Sequence, residues 1–240
     1  MGNSNGTSFD FERYSWPPSG NISSTRFVTS GAYVDKGAFR ACYLGKDTIT
    51  GQPVVLKKLL KHSPKEVDYW QEDIRASREA QRFANQFNKE IKSSKQITFI
   101  MPIIIQCPSN ICEPFQKGES ILVEPFLGKD VYEKFNSNSG WENKDCGLSM
   151  AAFSHFTYHI SGGKMLVCDL QGIKTENGYI LTDPVICSVE RNFGITDLGE
   201  DGIRSFFANH DCTELCKSTW KQHSSPKQYR NVIIGTTYIP

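Results

Sequence analysis

The chain has 240 residues, of which 38% are hydrophobic, enough to bury a sizeable core in one domain or in one domain of two lobes. Its 27 lysine and arginine residues balance 26 aspartate and glutamate residues, so the net charge does not indicate nucleic-acid binding. No run approaches ~18 consecutive apolar residues, and the sequence therefore predicts no membrane-spanning segment.

Residues 1–24 are rich in Ser, Asn, Gly and Pro, and we expect them to form a flexible extension. The terminus lacks the apolar stretch of a secretion signal, which indicates a cytoplasmic location. Membrane association is expected only if Gly2 is acylated. Gly6 stands where the myristoylation pattern needs Ser or Thr, which favours an unmodified terminus.

Short β-branched and apolar runs between residues 26 and 60 predict strands of an antiparallel sheet. Apolar residues then recur at helical spacing from Val67 and Trp70 to Phe87, which predicts one long helix over residues 65–91 with a buried stripe. Pro64 suits the start of this helix. A strand pair is expected at residues 97–100 and 120–123.

A second helix is predicted over Leu148–Ile160, ended by Gly162 and Gly163. Two short strands, at residues 164–169 and 179–183, flank a polar loop. This order of elements predicts an α+β fold with two lobes.

Asp169, Gln171 and Asp183 surround the turn dipeptide Asn177-Gly178. A tight hairpin about that dipeptide places Asp183 opposite Gly172 and close to Gln171, whereas a looser loop brings Asp169 nearer to Asp183. Neighbouring carboxylates repel, and a divalent cation with oxygen ligands relieves the repulsion. Such a group suits phosphoryl transfer, with one carboxylate accepting the proton of the attacking hydroxyl. The alternative is that Asp169 only caps a turn.

His210, Cys212 and Cys216 offer three metal ligands in one short segment, with the cysteines on one face of a predicted helical turn. Tetrahedral zinc needs a fourth ligand. His155 is the best candidate and His159 the competitor. A closed site of this kind is structural rather than catalytic; the alternative is two free cysteines and a surface histidine.

Lys57 and Lys58 end an apolar strand and point to opposite faces, so one of them can meet phosphate oxygens. The turn that begins at Gly37 lets backbone approach a phosphate, which Arg40 can clamp. Residues 194–199 form a second glycine turn. The alternatives are a solvated lysine and two ordinary turns.

Taken together and in this order, these pieces resemble the alpha-kinases, a family of atypical protein kinases. The match runs from about Arg26 to Lys217 and depends on the following motifs: Gly37-Ala38-Phe39-Arg40, Val55-Leu56-Lys57-Lys58, Glu124-Pro125-Phe126, Tyr132 to Trp141, Ala152 to Tyr158, Asp169-Leu170-Gln171-Gly172, Thr182-Asp183-Pro184, Phe193 to Gly199, and His210-Asp211-Cys212 with Cys216.

The resemblance implies an ATP-dependent kinase that transfers the γ-phosphoryl group to serine or threonine of protein substrates, with autophosphorylation. It implies a two-lobed kinase-like fold with an antiparallel N-lobe sheet, ATP and Mg²⁺ bound in the cleft, and a C-lobe braced by structural zinc. The catalytic domain is expected at residues 25–225, followed by a tail at 226–240.

Residue roles are implied position by position. The implied catalytic residues are Lys57, Asp169, Gln171 and Asp183. The implied nucleotide-binding residues are Gly37, Ala38, Arg40, Lys57, Glu124 (at the adenine), Phe126, Thr182, Gly194 and Gly199. The implied magnesium ligands are Gln171 and Asp183, and the implied zinc ligands are His155, His210, Cys212 and Cys216. Either Asp73 or Glu79 is the expected acidic partner of Lys57.

The chain departs from the family at Asp197, where relatives often carry Asn, and a carboxylate there is expected to alter contacts with nucleotide or substrate. One alternative function is a pseudokinase or zinc-braced interaction module. Another is an ATPase or small-molecule kinase on the same fold. The intact set of Lys57, Asp169, Gln171 and Asp183 argues against the pseudokinase or interaction module, and the sequence leaves the ATPase or small-molecule kinase open.

Overall fold

The computed structural model describes residues 8–20, 22–37, 39–61, 66–92, 95–108, 114–145, 148–229 and 231–232. Gly2, Ala38 and Pro64, which the sequence analysis singled out, lie outside these ranges. The chain divides into two compact units, Met1–Ile74 with Ile100–Tyr132 and Arg75–Phe99 with Glu133–Pro240. The predicted two-lobed α+β fold is confirmed.

The described elements, in chain order, are β1 (Phe27–Lys36), β2 (Arg40–Asp47), β3 (Pro53–Leu59), α1 (Glu66–Ile91), β4 (Gln96–Phe99), β5 (Ile103–Gln106), β6 (Ser120–Pro125), β7 (Tyr132–Lys134), α2 (Leu148–Ile160), β8 (Met165–Cys168), β9 (Gln171–Thr175), β10 (Gly178–Thr182), β11 (Val185–Ser188) and α3 (Glu200–Asn209).

The first unit is built on a five-stranded sheet in the order β1-β2-β3-β6-β5. Every neighbouring pair in it is antiparallel, as predicted. The apolar positions of the strands, among them Phe27, Leu56 and Ile121, are fully buried and form the core. Burial of such side chains is the main stabilising term of the unit.

The predicted pairing of residues 97–100 with 120–123 is wrong. Strand β6 lies between β3 and β5, and β4 pairs in parallel with β10 of the second unit. Strand β5, which the sequence analysis missed, consists of Ile103, Ile104, Ile105 and Gln106. So short an apolar run carries no periodicity that separates strand from helix.

Part of the N-terminal segment is ordered, unlike the predicted flexible extension. Phe9 is buried, and its N–H donates to the carbonyl of Phe126 at 2.8 Å. The indole N–H of Trp16 donates to the carbonyl of Met101 at 2.8 Å. Aromatic side chains thus fix a stretch whose composition suggested disorder.

Helix α1 carries the predicted stripe, because Trp70, Phe83 and Phe87 are buried. Val67 is an exception, since it is 44% exposed. The indole N–H of Trp70 donates to the carbonyl of Ser120 at 2.9 Å, which satisfies the polar end of this large buried side chain.

The second unit contains the sheet β4-β10-β9-β7 and the pair β8–β11. Helix α2 has the predicted bounds, and the N–H of Gly163 caps it by donating to the carbonyl of Tyr158 at 2.8 Å. Helix α3 was not predicted. Gly202 within it lies against Cys187, and a Cβ at Gly202 would come 2.4 Å from the Cys187 sulfur. Among the described residues, no helix is both long and apolar enough to span a bilayer.

Candidate functional site

Asp169 lies in the short connection between β8 and β9, where it is 1% exposed. Its φ angle of 58° falls in the left-handed region, which side chains other than glycine, asparagine and aspartate seldom adopt. Such backbone strain persists only where the surroundings fix it. The contacts of the next residue, Leu170, provide that restraint.

Asn136 fixes the backbone beside Asp169. Its side-chain oxygen accepts a hydrogen bond from the N–H of Leu170 at 2.8 Å, and its amide nitrogen donates to the hydroxyl of Ser154 on α2 at 2.9 Å. The N–H of Phe135 donates to the carbonyl of Leu170 at 2.8 Å. Both backbone groups of Leu170 are therefore held by the segment after β7.

Lys134, at the end of β7, supplies a cation beside Asp169. Its Nζ lies 2.9 Å from Asp169 Oδ1, which makes the two residues an ion pair. The lysine side chain is 13% exposed, so water screens the pair only weakly. The sequence analysis gave Lys134 and Asn136 no role, because each lies more than 30 residues from Asp169 in the chain.

Gln171 and Asp183 come from the two strands of one hairpin. Thr182 pairs with Gln171 and Gly178 with Thr175, so the turn lies at residues 176–177. The predicted register, with Asp183 opposite Gly172, is wrong by two residues, since Leu181 takes that place. The actual register carries Asp183 one position beyond the Thr182–Gln171 pair.

Asp183 resembles Asp169 in its backbone, with a φ of 50°. It is half-buried, as is Gln171, and Thr182 is 5% exposed. Asp169 and Asp183 therefore share a left-handed backbone, and Asp183 directly follows the pair formed by Thr182 and Gln171. Carboxylate and amide oxygens are ligand types that magnesium prefers.

In the first unit, Lys57 pairs with Glu124 at 2.6 Å. Arg40, in the same unit, pairs with Asp73 at 2.8 Å. Glu79, in the second unit, pairs with Arg82. Glu124, assigned to the adenine by resemblance, is thus a buried ion-pair partner of the lysine.

The other predicted nucleotide-binding residues of the first unit are close in sequence to Arg40 and Glu124. Gly37 donates its N–H to the carbonyl of Arg40 at 2.9 Å and so closes the predicted turn. Phe126 donates its N–H to the carbonyl of Pro53 at 3.1 Å, directly after β6.

Asp197 organises the second glycine turn. It is 4% exposed, and its two oxygens accept hydrogen bonds from the N–H and hydroxyl of Ser188 and from the N–H groups of Phe193 and Gly199. Both oxygens of the carboxylate that departs from the family pattern therefore accept hydrogen bonds from the residues around the turn. Gly194 and Gly199 both have positive φ angles, of 84° and 67°, which glycine adopts without strain.

His155, His210, Cys212 and Cys216 converge in the second unit. One ligand atom from each lies within 4.8 Å of all the others. Cys212 Sγ is 3.7 Å from His155 Nδ1, and Cys216 Sγ is 3.9 Å from His210 Nε2. Tetrahedral zinc bonds to nitrogen and sulfur imply ligand separations of about 3.5–3.8 Å. The two sulfur–nitrogen distances are close to this range, and two histidines with two cysteines are a ligand set that suits zinc.

The contacts within this cluster favour the metal-binding form of Cys216. Burial alone raises the pKa of the Cys216 thiol, but its contacts with His155 and His210 outweigh burial and lower the pKa to about 5. The thiolate is the form that binds metals. His155 Nε2 lies 3.1 Å from the carbonyl of Lys221, which leaves Nδ1 for the cluster.

The structure separates His159 from the cluster and places the two cysteines outside a helix. His159 is not part of the cluster, because its ring stacks on Trp220 and its Nδ1 accepts the N–H of Lys221 at 3.1 Å. The predicted helical turn that carries the cysteines is wrong. Residues 211–213 are irregular, and the N–H of Cys216 closes a turn on the carbonyl of Thr213.

Comparison with known proteins identifies this arrangement. The family model described as "Alpha-kinase family" matches residues 35–216. The chain belongs to the alpha-kinase family. It therefore carries the protein kinase fold of that family, and its two units hold the residues that the resemblance singled out.

Individual relatives agree with this assignment. Alpha-protein kinase vwkA of Dictyostelium discoideum is 38% identical over 189 residues, which are 75% of this chain and 29% of vwkA. This chain thus spans less than a third of that relative. A solved alpha-kinase of Entamoeba histolytica has a TM-score of 0.72 and 26% identity, over 89% of this chain and 85% of that chain.

A second solved structure is the alpha-kinase domain of myosin heavy chain kinase A in complex with AMP. It has a TM-score of 0.67 and 26% identity, and the match covers 79% of this chain and 88% of that one.

Proposed function

We propose that this alpha-kinase transfers the γ-phosphoryl group of ATP to serine or threonine residues of protein substrates, itself included. The observation that carries the proposal is Asp169, a buried carboxylate in strained backbone, held by Asn136 and Leu170 and paired with Lys134. The AMP complex of a relative 26% identical to this chain supports adenine-nucleotide binding. A cytoplasmic location belongs to the same proposal.

In the proposed reaction Asp169 accepts the proton of the attacking hydroxyl. The hydroxyl oxygen forms a bond to the γ-phosphorus, the bond from that phosphorus to the bridging oxygen breaks, and ADP leaves with its electrons. Lys134 balances the charge of the carboxylate before the transfer. Lys57, positioned by Glu124, contacts the phosphates as a point charge.

Gln171 and Asp183 would hold magnesium, and their oxygen atoms fit its preference for hard ligands. When bound, magnesium neutralises charge on the phosphates. The four-residue cluster would hold zinc, and its two nitrogens and two sulfurs leave no open position, which is the pattern of a structural site.

The test uses purified protein with labelled ATP and Mg²⁺, with and without a basic protein substrate. The matched variant is Asp169→Asn, because asparagine tolerates the left-handed backbone. We expect label on serine or threonine with the wild type and at least a hundredfold loss in the variant, in line with the ~10²–10⁴ contribution of a general base.

Phosphate released to water without label on protein would identify an ATPase instead. Nucleotide binding without transfer would identify a pseudokinase. Normal transfer by a folded Asp169→Asn variant would remove Asp169 from its role.

A further inference from the structure

Glu142 is a buried carboxylate beside the metal cluster. Its side chain is 5% exposed, and its Oε1 lies 3.1 Å from His210 Nδ1, on a ring that is itself 1% exposed. The cost of burying a charge at this position is high unless a partner compensates it. The imidazole N–H of His210 is such a partner.

The His210 ring lies between this carboxylate and the cluster. Its Nδ1 faces Glu142, and its Nε2 is 3.9 Å from Cys216 Sγ. A hydrogen bond from Nδ1–H to a carboxylate fixes the tautomer in which Nε2 carries a lone pair, and it orients the ring. The arrangement presents Nε2 to a metal.

Glu142 also belongs to the segment that contacts the connection between β8 and β9, in which Asp169 lies. It forms a β-bridge with Asn136, and the next residue, Asn143, donates its N–H to the carbonyl of Phe135 at 2.8 Å. Phe135 and Asn136 are the two residues that hold Leu170, next to Asp169. A continuous set of backbone contacts therefore leads from the cluster to the loop.

We propose that Glu142 is a positioning residue of the metal cluster, which orients His210 toward zinc and joins the cluster to the segment that holds Asp169. The inference rests on the zinc binding proposed above. It adds to that proposal a carboxylate that lies outside the four ligands and touches only one of them directly.

The experiment measures Zn²⁺ affinity of the full chain by competition with a chromogenic chelator. We expect Glu142→Ala to bind Zn²⁺ about 10–100-fold more weakly than the wild type, as for other residues that orient metal ligands. Glu142→Gln keeps an acceptor for Nδ1–H and should recover part of the loss. Glu214→Ala is the control, because Glu214 is an exposed acid in the same cysteine segment.

A second readout separates orientation of the ligand from mere stability. Loaded with Co²⁺, the folded Glu142→Gln variant should show an altered visible ligand-field spectrum, whereas Glu214→Ala should match the wild type. Wild-type Zn²⁺ affinity and an unchanged Co²⁺ spectrum in Glu142→Gln would overturn the role of Glu142. Equal weakening by Glu214→Ala would overturn it too. Failure of the wild type to bind Zn²⁺ would instead refute the zinc site itself.

Discussion

Lys57 and Glu124 form an ion pair in the interior of the first unit, with 2.6 Å between Nζ and Oε2 and side chains that are 6% and 4% exposed. They come from adjacent strands, since Lys57 pairs in register with Leu122, two residues before Glu124. The two residues are therefore diagonal neighbours on one face of the sheet. The attraction between them offsets part of the free-energy cost of burying two charges.

Removing either partner should destabilise the protein strongly. We expect Glu124→Ala to lower the free energy of unfolding by about 3–5 kcal/mol, because it removes the carboxylate that is paired with a buried cation. Urea unfolding measures the effect, and phosphoryl transfer should be lost in the same variant. The control is Glu79→Ala, whose more exposed pair with Arg82 should contribute at most about 1 kcal/mol. Equal effects of the two variants would contradict the prediction.

Asn136 should be needed for catalysis as well as for stability. Asn136→Ala removes two buried hydrogen bonds, to Leu170 and to Ser154, which should cost about 2–3 kcal/mol at roughly 1 kcal/mol or more for each bond. We expect kcat to fall because the Asp169 loop loses its restraint. Asn136→Asp keeps the acceptor for Leu170 and should retain more activity than Asn136→Ala. A variant that is destabilised but has an unchanged kcat would separate Asn136 from the loop.

Asp197→Asn should be far milder than Asp197→Ala. One side-chain oxygen of asparagine can still accept the N–H groups of Ser188 and Gly199, while the bond from Phe193 is lost. We expect a cost of about 1–3 kcal/mol for asparagine and a larger one for alanine, which leaves several buried donors unsatisfied. Thermal unfolding of the two variants provides the test, and equal melting temperatures would refute it.

Removal of the proposed zinc ion should destabilise the protein. A ligand present at about a thousandfold its Kd stabilises the folded state by about 4 kcal/mol, so a strong chelator should lower the melting temperature of the wild type. Cys212→Ser should lose bound zinc and become insensitive to the chelator. Cys42→Ser, in β2 of the first unit, is the control and should keep its zinc. Elemental analysis with thermal unfolding measures both, and a zinc-loaded Cys212→Ser protein would contradict the assignment of the ligands.

Local signals in the sequence predicted the helices best. The bounds of α2 followed from its apolar pattern and from Gly162 and Gly163, whose backbone ends a helix. Helix α3 was missed because Gly199 and Gly202 read as turn signals, although Gly202 is required by close contact with Cys187. The turn lies one residue earlier than Asn177-Gly178, which shifts the pairing of the hairpin by two residues, because that dipeptide alone does not fix the position of the turn.

Contacts between distant segments were the least predictable. The pairing of β3 with β6 brings Glu124 to Lys57, and no local pattern encodes which strands become neighbours. The contact between Lys134 and Asp169 also joins segments that are distant in the chain, and no local pattern predicts it. The cluster of two histidines and two cysteines was predictable because a metal demands a small set of ligand types.

The left-handed backbone at Asp169 and Asp183 constrains what evolution or engineering can place there. At each position the side chain must suit the chemistry, and its backbone must also tolerate a conformation that costs most L-residues roughly 1–2 kcal/mol. Asparagine and glycine tolerate the left-handed backbone, but they do not supply a carboxylate. Chains that lose phosphoryl transfer while keeping this architecture should therefore carry asparagine or glycine at these two positions more often than alanine, and selection for folding alone will enrich those same residues.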